Sequence, residues 1–279
     1  MPSVNSESRN HACGRKWMIN DACGIVCLFI TWFLMLYGQF CVCTVMLSSI
    51  EYFPIHQTIN FIIFQCLFIL AGVSHYKTVF TDPGAVPKGN LTEEYVERLQ
   101  REDSNKKLYQ CTKCCSVKPD RAHHCSVCDR CINKMDHHCP WVNNCVGQKN
   151  QKFFVLFTLY IALLSIHTLY WVIWQFFCCL ENDWSYCPRF APPVTTLLLV
   201  FLLFEAILFS IFTLIMFGTQ ISAIYSDKTG IESLKRVESK RMKNKCKNMQ
   251  LVFGGRMGIR WLNPLYAPFV NEKSYELSV

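Results

Sequence analysis

Along the chain, long apolar runs alternate with polar segments that hold nearly all of the charge. Four stretches are almost free of charged residues: about Ala22–Ser49, Ile55–Tyr76, Phe153–Leu180 and Val194–Gly218. Each is long enough to cross a hydrocarbon core, which takes roughly 20 apolar residues. A buried helix of a soluble protein would show a polar face and shorter apolar runs. The pattern therefore predicts an all-α polytopic membrane protein with four transmembrane helices. Residues 1–21 form a short polar head, 77–152 a long central loop and 219–279 a polar tail.

Charge then sets an orientation. Of the Lys and Arg residues, three precede the first span, thirteen lie between spans two and three, and eleven follow span four. Only Arg189 falls in the other two loops. Basic residues concentrate on the cytosolic side of membrane proteins, so both termini and the central loop are expected in the cytosol. The first span is too long for the core of a cleaved signal peptide, and no small-residue cleavage site follows it.

The polar segments carry local signals. Asp82–Pro87, reading DPGAVP, cannot continue a helix, and the charged stretch Leu91–Lys107 has the look of a surface helix. Asn90-Leu91-Thr92 has the form of a glycosylation acceptor but falls on the cytosolic side. The basic run Lys235–Lys247 suits an anionic membrane surface. It has too few aromatics for nucleic acid, and no nucleic-acid partner is expected. Glu205, near the middle of span four, is a functional-site candidate by default, with a protonated or hydrogen-bonded carboxyl facing the bundle interior as the alternative. The chain end Leu277–Val279 resembles, weakly, the termini captured by end-binding grooves.

The chain has 18 cysteines, and eight of them lie between Cys111 and Cys145, on the reducing side, where metal or catalysis is a better reading than disulfides. Cys111, Cys114, His124 and Cys131 read C-x2-C-x9-H-x6-C. Cys125, Cys128, His138 and Cys145 read the same pattern, shifted by fourteen residues and interleaved with the first. Three cysteines and a histidine make a closed tetrahedral zinc site, so two structural zinc ions are expected.

The same shift shows which residues are spare. Cys125 maps onto Cys139, but a third finger would need ligands where Val142, Lys152 and Leu159 stand. Cys139 thus inherits a ligand position with no finger to join. His137, the shifted partner of His123, lies outside both sets, and Cys115 looks incidental. A thiolate is a nucleophile, a neighbouring imidazole can take its proton, and a carboxylate can orient that imidazole. Cys139, His137 and Asp136 supply those three groups. Cys139 also lies fourteen residues before Phe153, at the expected membrane surface. Trp141, Phe153, Phe154 and Phe157 could line an apolar entrance there or form an interfacial aromatic belt.

Asp136-His137-His138-Cys139, set in this Cys-rich frame between spans two and three, resembles the DHHC-type protein S-acyltransferases, the palmitoyltransferases. Asp82-Pro83-Gly84 matches the family pattern, and Phe217–Gln220, Asp227–Lys235 and Val252–Gly255 resemble its Golgi-associated branch. The resemblance implies a two-step transfer from a long-chain acyl-CoA, palmitoyl-CoA, through a Cys139 thioester to cysteines of proteins at the cytosolic membrane face. It implies that His137 is the base, that Asp136 orients it and that His138 binds zinc. It further implies an acyl cavity with Trp141, Phe154 and Phe157 at matching positions. Membrane lipids, acyl-CoA and substrate proteins are the implied partners, with a homo-oligomer as an alternative to a single copy. The Golgi membrane is the implied location, with the endoplasmic reticulum as the alternative. One departure stands out: where the family often has Thr-Thr-x-Glu after span four, this chain has Thr229-Gly230-Ile231-Glu232. The second hydroxyl is absent, which leaves a hydrogen bond from that position to Asp136 in question and keeps a catalytically silent scaffold as the alternative function. A RING-type ligase fits less well, because its last ligands would form a second C-x2-C pair.

Overall fold

The computed structural model describes residues 17–102, 108–187, 189–235 and 244–266. The chain end Leu277–Val279, residues 103–107 of the charged stretch and residues 236–243 of the basic run lie outside them. The architecture is mostly helical. Four helices are long and apolar enough to cross a membrane: α1 (Ala22–Ser48), α2 (Pro54–Phe80), α4 (Gln151–Glu181) and α5 (Pro192–Ser226). The last three extend past the apolar stretches on which they are built. Between α2 and α4 come α3 (Glu93–Glu102) and six three-residue strands, and after α5 come α6 (Gly230–Lys235) and α7 (Lys245–Phe253).

Local chemistry sets the helix ends. Asp21 precedes α1 and accepts from the Gly24 N–H at 2.7 Å, an N-cap that occupies one orphan donor of the first turn. Proline opens α2 and α5, where its missing N–H costs nothing. Just past α2, Asp82 turns the chain by accepting from the N–H groups of Gly84 and Ala85, each at 2.8 Å.

The chain divides into two compact units. One consists of Phe29–Ser74 and Val155–Gln220, the central portions of the four long helices. One polar cluster in it is well paired, as a membrane interior favours. Gln57 Nε2 donates to Ser49 Oγ and to Gln175 Oε1, each at 2.7 Å, and Trp171 Nε1 donates to Gln57 Oε1 at 2.9 Å. The Gln175 amide nitrogen lies on the sulfurs of Cys179 and Cys187, which form a disulfide.

The other unit consists of Met1–Leu28, His75–Phe154 and Ile221–Val279. Its centre is the Cys-rich region, folded as three antiparallel hairpins. They are β1–β2 (Tyr109–Cys111 with Ser116–Lys118), β3–β4 (His123–Cys125 with Arg130–Ile132) and β5–β6 (His137–Cys139 with Asn144–Val146). The fourteen-residue repeat therefore does not stop at two. Its third copy lacks the ligands but keeps the hairpin and the register: Cys111 faces Ser116, Cys125 faces Arg130 and Cys139 faces Asn144. The turns repeat as well. Cys115, Asp129 and Asn143, fourteen residues apart, all take left-handed backbone at φ 47, 48 and 45. Cys115 is thus not incidental, since it holds the turn position of the first copy.

Candidate active site

The third hairpin is pinned to the ends of α1 and α2. Asn144 Nδ2 lies 3.0–3.1 Å from the carbonyls of Thr78, Val79 and Thr81, meeting the orphan acceptors at the end of α2. Asn144 Oδ1 accepts from Trp17 Nε1 at 3.0 Å, and Asn143 Nδ2 donates to the Ile19 carbonyl at 2.7 Å. Gly24, in the first turn of α1, lies so close to the Asn143 amide that a Cβ there would overlap it. One turn further on, Cys27 lies within electrostatic reach of Cys139.

The strand period then sorts the side chains of β5. Successive residues of a strand point to opposite faces, so His138 faces one way and His137 and Cys139 the other. On its face, His138 Nδ1 lies 3.8, 3.3 and 3.6 Å from the sulfurs of Cys125, Cys128 and Cys145. The Cys128 and Cys145 sulfurs are 3.4 Å apart. In the other cluster, His124 Nδ1 lies 3.7 Å from Cys111 Sγ and 3.2 Å from Cys114 Sγ, and Cys114 and Cys131 are 3.8 Å apart. A tetrahedral ion with the usual zinc bond lengths sets its sulfur ligands about 3.8 Å apart and a sulfur–nitrogen pair about 3.6 Å apart. The donors fit such an ion, and the separations are too long for disulfides. Both clusters could hold a metal ion.

On the opposite face, Asp136 Oδ2 accepts from His137 Nδ1 at 2.8 Å. The Asp136 side chain is buried, and its own N–H donates to the Val146 carbonyl across the hairpin. Burial alone would lower the proton affinity of the His137 imidazole. The hydrogen bond to Asp136 and the Cys139 sulfur outweigh it and raise the pKa to about 9. Among the described residues, no hydrogen bond of ordinary geometry reaches His137 Nε2, which leaves that nitrogen available beside the thiol. Cys139 itself is 7% exposed, and the Phe154 ring stands edge-on to His137 at 5.3 Å.

The second Asp136 oxygen has a partner that no motif announced. The backbone N–H of Gly230, first residue of α6, donates to Asp136 Oδ1 at 2.5 Å. Thr229 and Glu232 shape that helix start as a capping box: Thr229 Oγ1 accepts from the Glu232 N–H at 3.3 Å, and Glu232 Oε2 accepts from the Thr229 N–H at 3.1 Å. Arg121, in the loop before β3, closes the arrangement. It donates to both Glu232 oxygens, at 2.6 and 3.0 Å, and to Asp227 Oδ1 at 2.8 Å, with all three side chains nearly buried. The missing hydroxyl at position 230 therefore does not leave Asp136 unsupported. A Cβ at that position would lie 3.2 Å from Asp136 Oδ1 and 3.3 Å from its carbonyl, tighter than ordinary contact.

Among the other expected residues, Trp141 is 39% exposed, and its backbone carbonyl lies 3.1 Å from His75 Nε2. Phe157 is buried within the helical unit. Glu205 stands in α5 with Oε2 buried and unpartnered among the described residues.

Residues 104–237 match the family of DHHC palmitoyltransferases. The palmitoyltransferase ZDHHC3 of Rattus norvegicus is 54% identical, with 91% of this chain and 85% of the relative aligned. The chain belongs to the DHHC palmitoyltransferase family. The palmitoyltransferase ZDHHC7 of Mus musculus is 51% identical over 93% of this chain and 84% of its own. A plant relative, the probable protein S-acyltransferase 12 of Arabidopsis thaliana, is 38% identical over 74% of this chain and 72% of its own. As a member of this family, the chain is a multi-pass membrane protein S-acyltransferase.

Proposed function

We propose that this palmitoyltransferase transfers a long-chain acyl group from acyl-CoA to protein cysteines through a thioester on Cys139. The observation that carries the reading is the opposite facing of neighbours on β5, with His138 among the Cys125, Cys128 and Cys145 sulfurs and His137 turned away onto Asp136. In the first step the Cys139 sulfur attacks the thioester carbonyl carbon, and its proton goes to His137 Nε2. The bond from carbonyl carbon to coenzyme A sulfur breaks, and the leaving thiolate takes the proton from His137. In the second step a substrate cysteine attacks the Cys139 thioester, His137 takes its proton, and Cys139 leaves as the thiolate and is reprotonated. Asp136 holds Nδ1 protonated so that Nε2 faces the reaction.

Cys111, Cys114, His124 and Cys131 would hold one zinc ion, and Cys125, Cys128, His138 and Cys145 a second. When bound, the ions supply structural cross-links that keep the hairpins rigid. Trp141, Phe154 and Phe157 are assigned to the acyl chain, with Phe154 supported by its contact with the His137 ring. The basic-residue distribution supports cytosolic termini. So does the Cys179–Cys187 disulfide, which belongs to an oxidising compartment while the Cys-rich region belongs to a reducing one. The sequence resemblance to the Golgi-associated branch supports the Golgi membrane as the location.

The experiment is incubation of purified, zinc-loaded protein with labelled palmitoyl-CoA. A hydroxylamine-sensitive adduct is expected on the wild type and absent from Cys139→Ser. An adduct that persists in well-folded Cys139→Ser overturns the assignment, and no adduct on folded wild type favours the silent scaffold.

A further inference from the structure

The segment after span four holds a second site, apart from the thiol. Helix α7 and the Gly-rich loop that follows it, Gly254–Tyr266, line an open pocket of about 730 Å³. Lys247, Arg256 and Arg260 line it together with Gly254, Gly255 and Gly258, whose bare backbone leaves room for close approach. Among the described residues, no acidic side chain lines this pocket. The neighbouring surface is apolar: Leu251, Met257, Ile259, Leu262 and Leu265 are 46–86% exposed. Cations at a pocket beside bulky exposed apolar side chains describe an interfacial membrane site better than a water-facing surface.

The attachments of this segment place it at the bilayer face. Asn248 Nδ2 donates to the Tyr225 carbonyl, in the last turn of α5, at 3.2 Å. Lys245 lies over the Tyr225 ring at 4.9 Å. At the far end, the Lys152 ammonium, in the first turn of α4, donates to the Arg260 and Tyr266 carbonyls at 2.9 and 2.8 Å. Both anchors thus belong to the ends of helices that are apolar and long enough to cross a membrane. Within the loop, Trp261 stacks on Phe253 at 5.0 Å and donates to the Gly255 carbonyl at 3.2 Å, which fixes the loop as a folded element. A folded basic pocket is thus held at two span ends.

We propose that this pocket binds the phosphate-bearing headgroup of an anionic phospholipid, with Lys247, Arg256 and Arg260 on the headgroup and Met257 and Ile259 in the acyl boundary. The occupant is a lipid of the surrounding leaflet. The site is separate from Cys139 and does not depend on the transfer chemistry.

The test uses full-length protein in nanodiscs of phosphatidylcholine alone or with phosphatidylserine or a phosphoinositide. Native mass spectrometry counts retained lipid, and hydrogen exchange follows residues 245–266. Expected results are retained anionic lipid and slower exchange in that segment only when anionic lipid is present. Arg256→Gln with Arg260→Gln should weaken retention about thirtyfold, from the usual worth of two basic side chains at an anionic leaflet. Met257→Ser with Ile259→Ser, which keeps the charges, should weaken it as well. Zinc content and adduct formation at Cys139 serve as folding controls. Equal retention in the Arg variant, or equal exchange in neutral and anionic nanodiscs, overturns the proposal. Displacement of the lipid by inorganic phosphate at comparable concentration makes this a site for free anions and overturns the lipid assignment.

Discussion

The N–H of Gly230 donates to Asp136 Oδ1 at 2.5 Å, so a backbone donor holds this carboxylate from a position that has no side-chain hydroxyl. The capping box of Thr229 and Glu232 explains how: it occupies the neighbouring amide donors and leaves this one aimed at the carboxylate.

Two substitutions separate the bond from the space. Gly230→Ala keeps the N–H but forces Asp136 to yield by a few tenths of an ångström, since its oxygens lie 3.2 and 3.3 Å from the new carbon. Adduct formation should slow about tenfold, as small misplacements of reacting groups do. Gly230→Pro is tolerated at the first helical position but removes the donor, and a hydrogen bond to a charged group is worth about 1.5–3 kcal/mol. Rapid-quench measurement of the palmitoyl adduct should show proline slower than alanine by a further tenfold or more. Equal rates for the two variants would mean that the N–H does not support Asp136.

Asp136→Asn tests the other oxygen. Asparagine can present its amide N–H to His137 Nδ1, which favours the tautomer with the proton on Nε2, the wrong one for a base beside Cys139. Loss of general-base assistance slows adduct formation by about 10²- to 10⁴-fold. Zinc content should not change, because neither Asp136 nor His137 belongs to the clustered donors.

The two roles of cysteine in this region should part under metal counting. Cys125→Ser removes one donor from the second cluster and should cost one zinc and the thermal stability of the Cys-rich region. Cys139→Ser should keep both ions and the hairpin while abolishing the adduct. Atomic-emission zinc analysis on the two purified variants decides it, and loss of zinc from Cys139→Ser would count against the separation.

The long spans and the two donor sets were legible because each rests on a property of residue type: apolar length in one case, matched Cys and His spacing in the other. The third hairpin was not. Cys115, Asp129 and Asn143 share a backbone conformation and no chemistry, so their equivalence cannot be seen in side-chain letters. Gly230 escaped for a similar reason, since a motif that expects a hydroxyl does not report a backbone donor. The partners of Arg121, Asp227 and Glu232, lie more than a hundred residues downstream, beyond any local pattern. The Cys179–Cys187 pair stood outside the Cys-rich cluster that drew the reading of the cysteines.

Arg121 should prove more important to folding than its surface-loop position in sequence suggests. It neutralises Glu232, 1% exposed, and Asp227. Removing one partner of a buried ion pair leaves an uncompensated charge, at a cost of about 3–5 kcal/mol. Arg121→Gln should lower the melting temperature markedly and slow adduct formation through the loosened capping box. Arg121→Lys should recover only part of the stability, because a single ammonium cannot match the fork that spans both carboxylates. Arg121→Gln with Glu232→Gln should be more stable than Arg121→Gln alone, since the stranded charge is gone. Thermal unfolding of the three variants in one detergent measures the order, and a double variant no better than the single would remove the ion pair from this account.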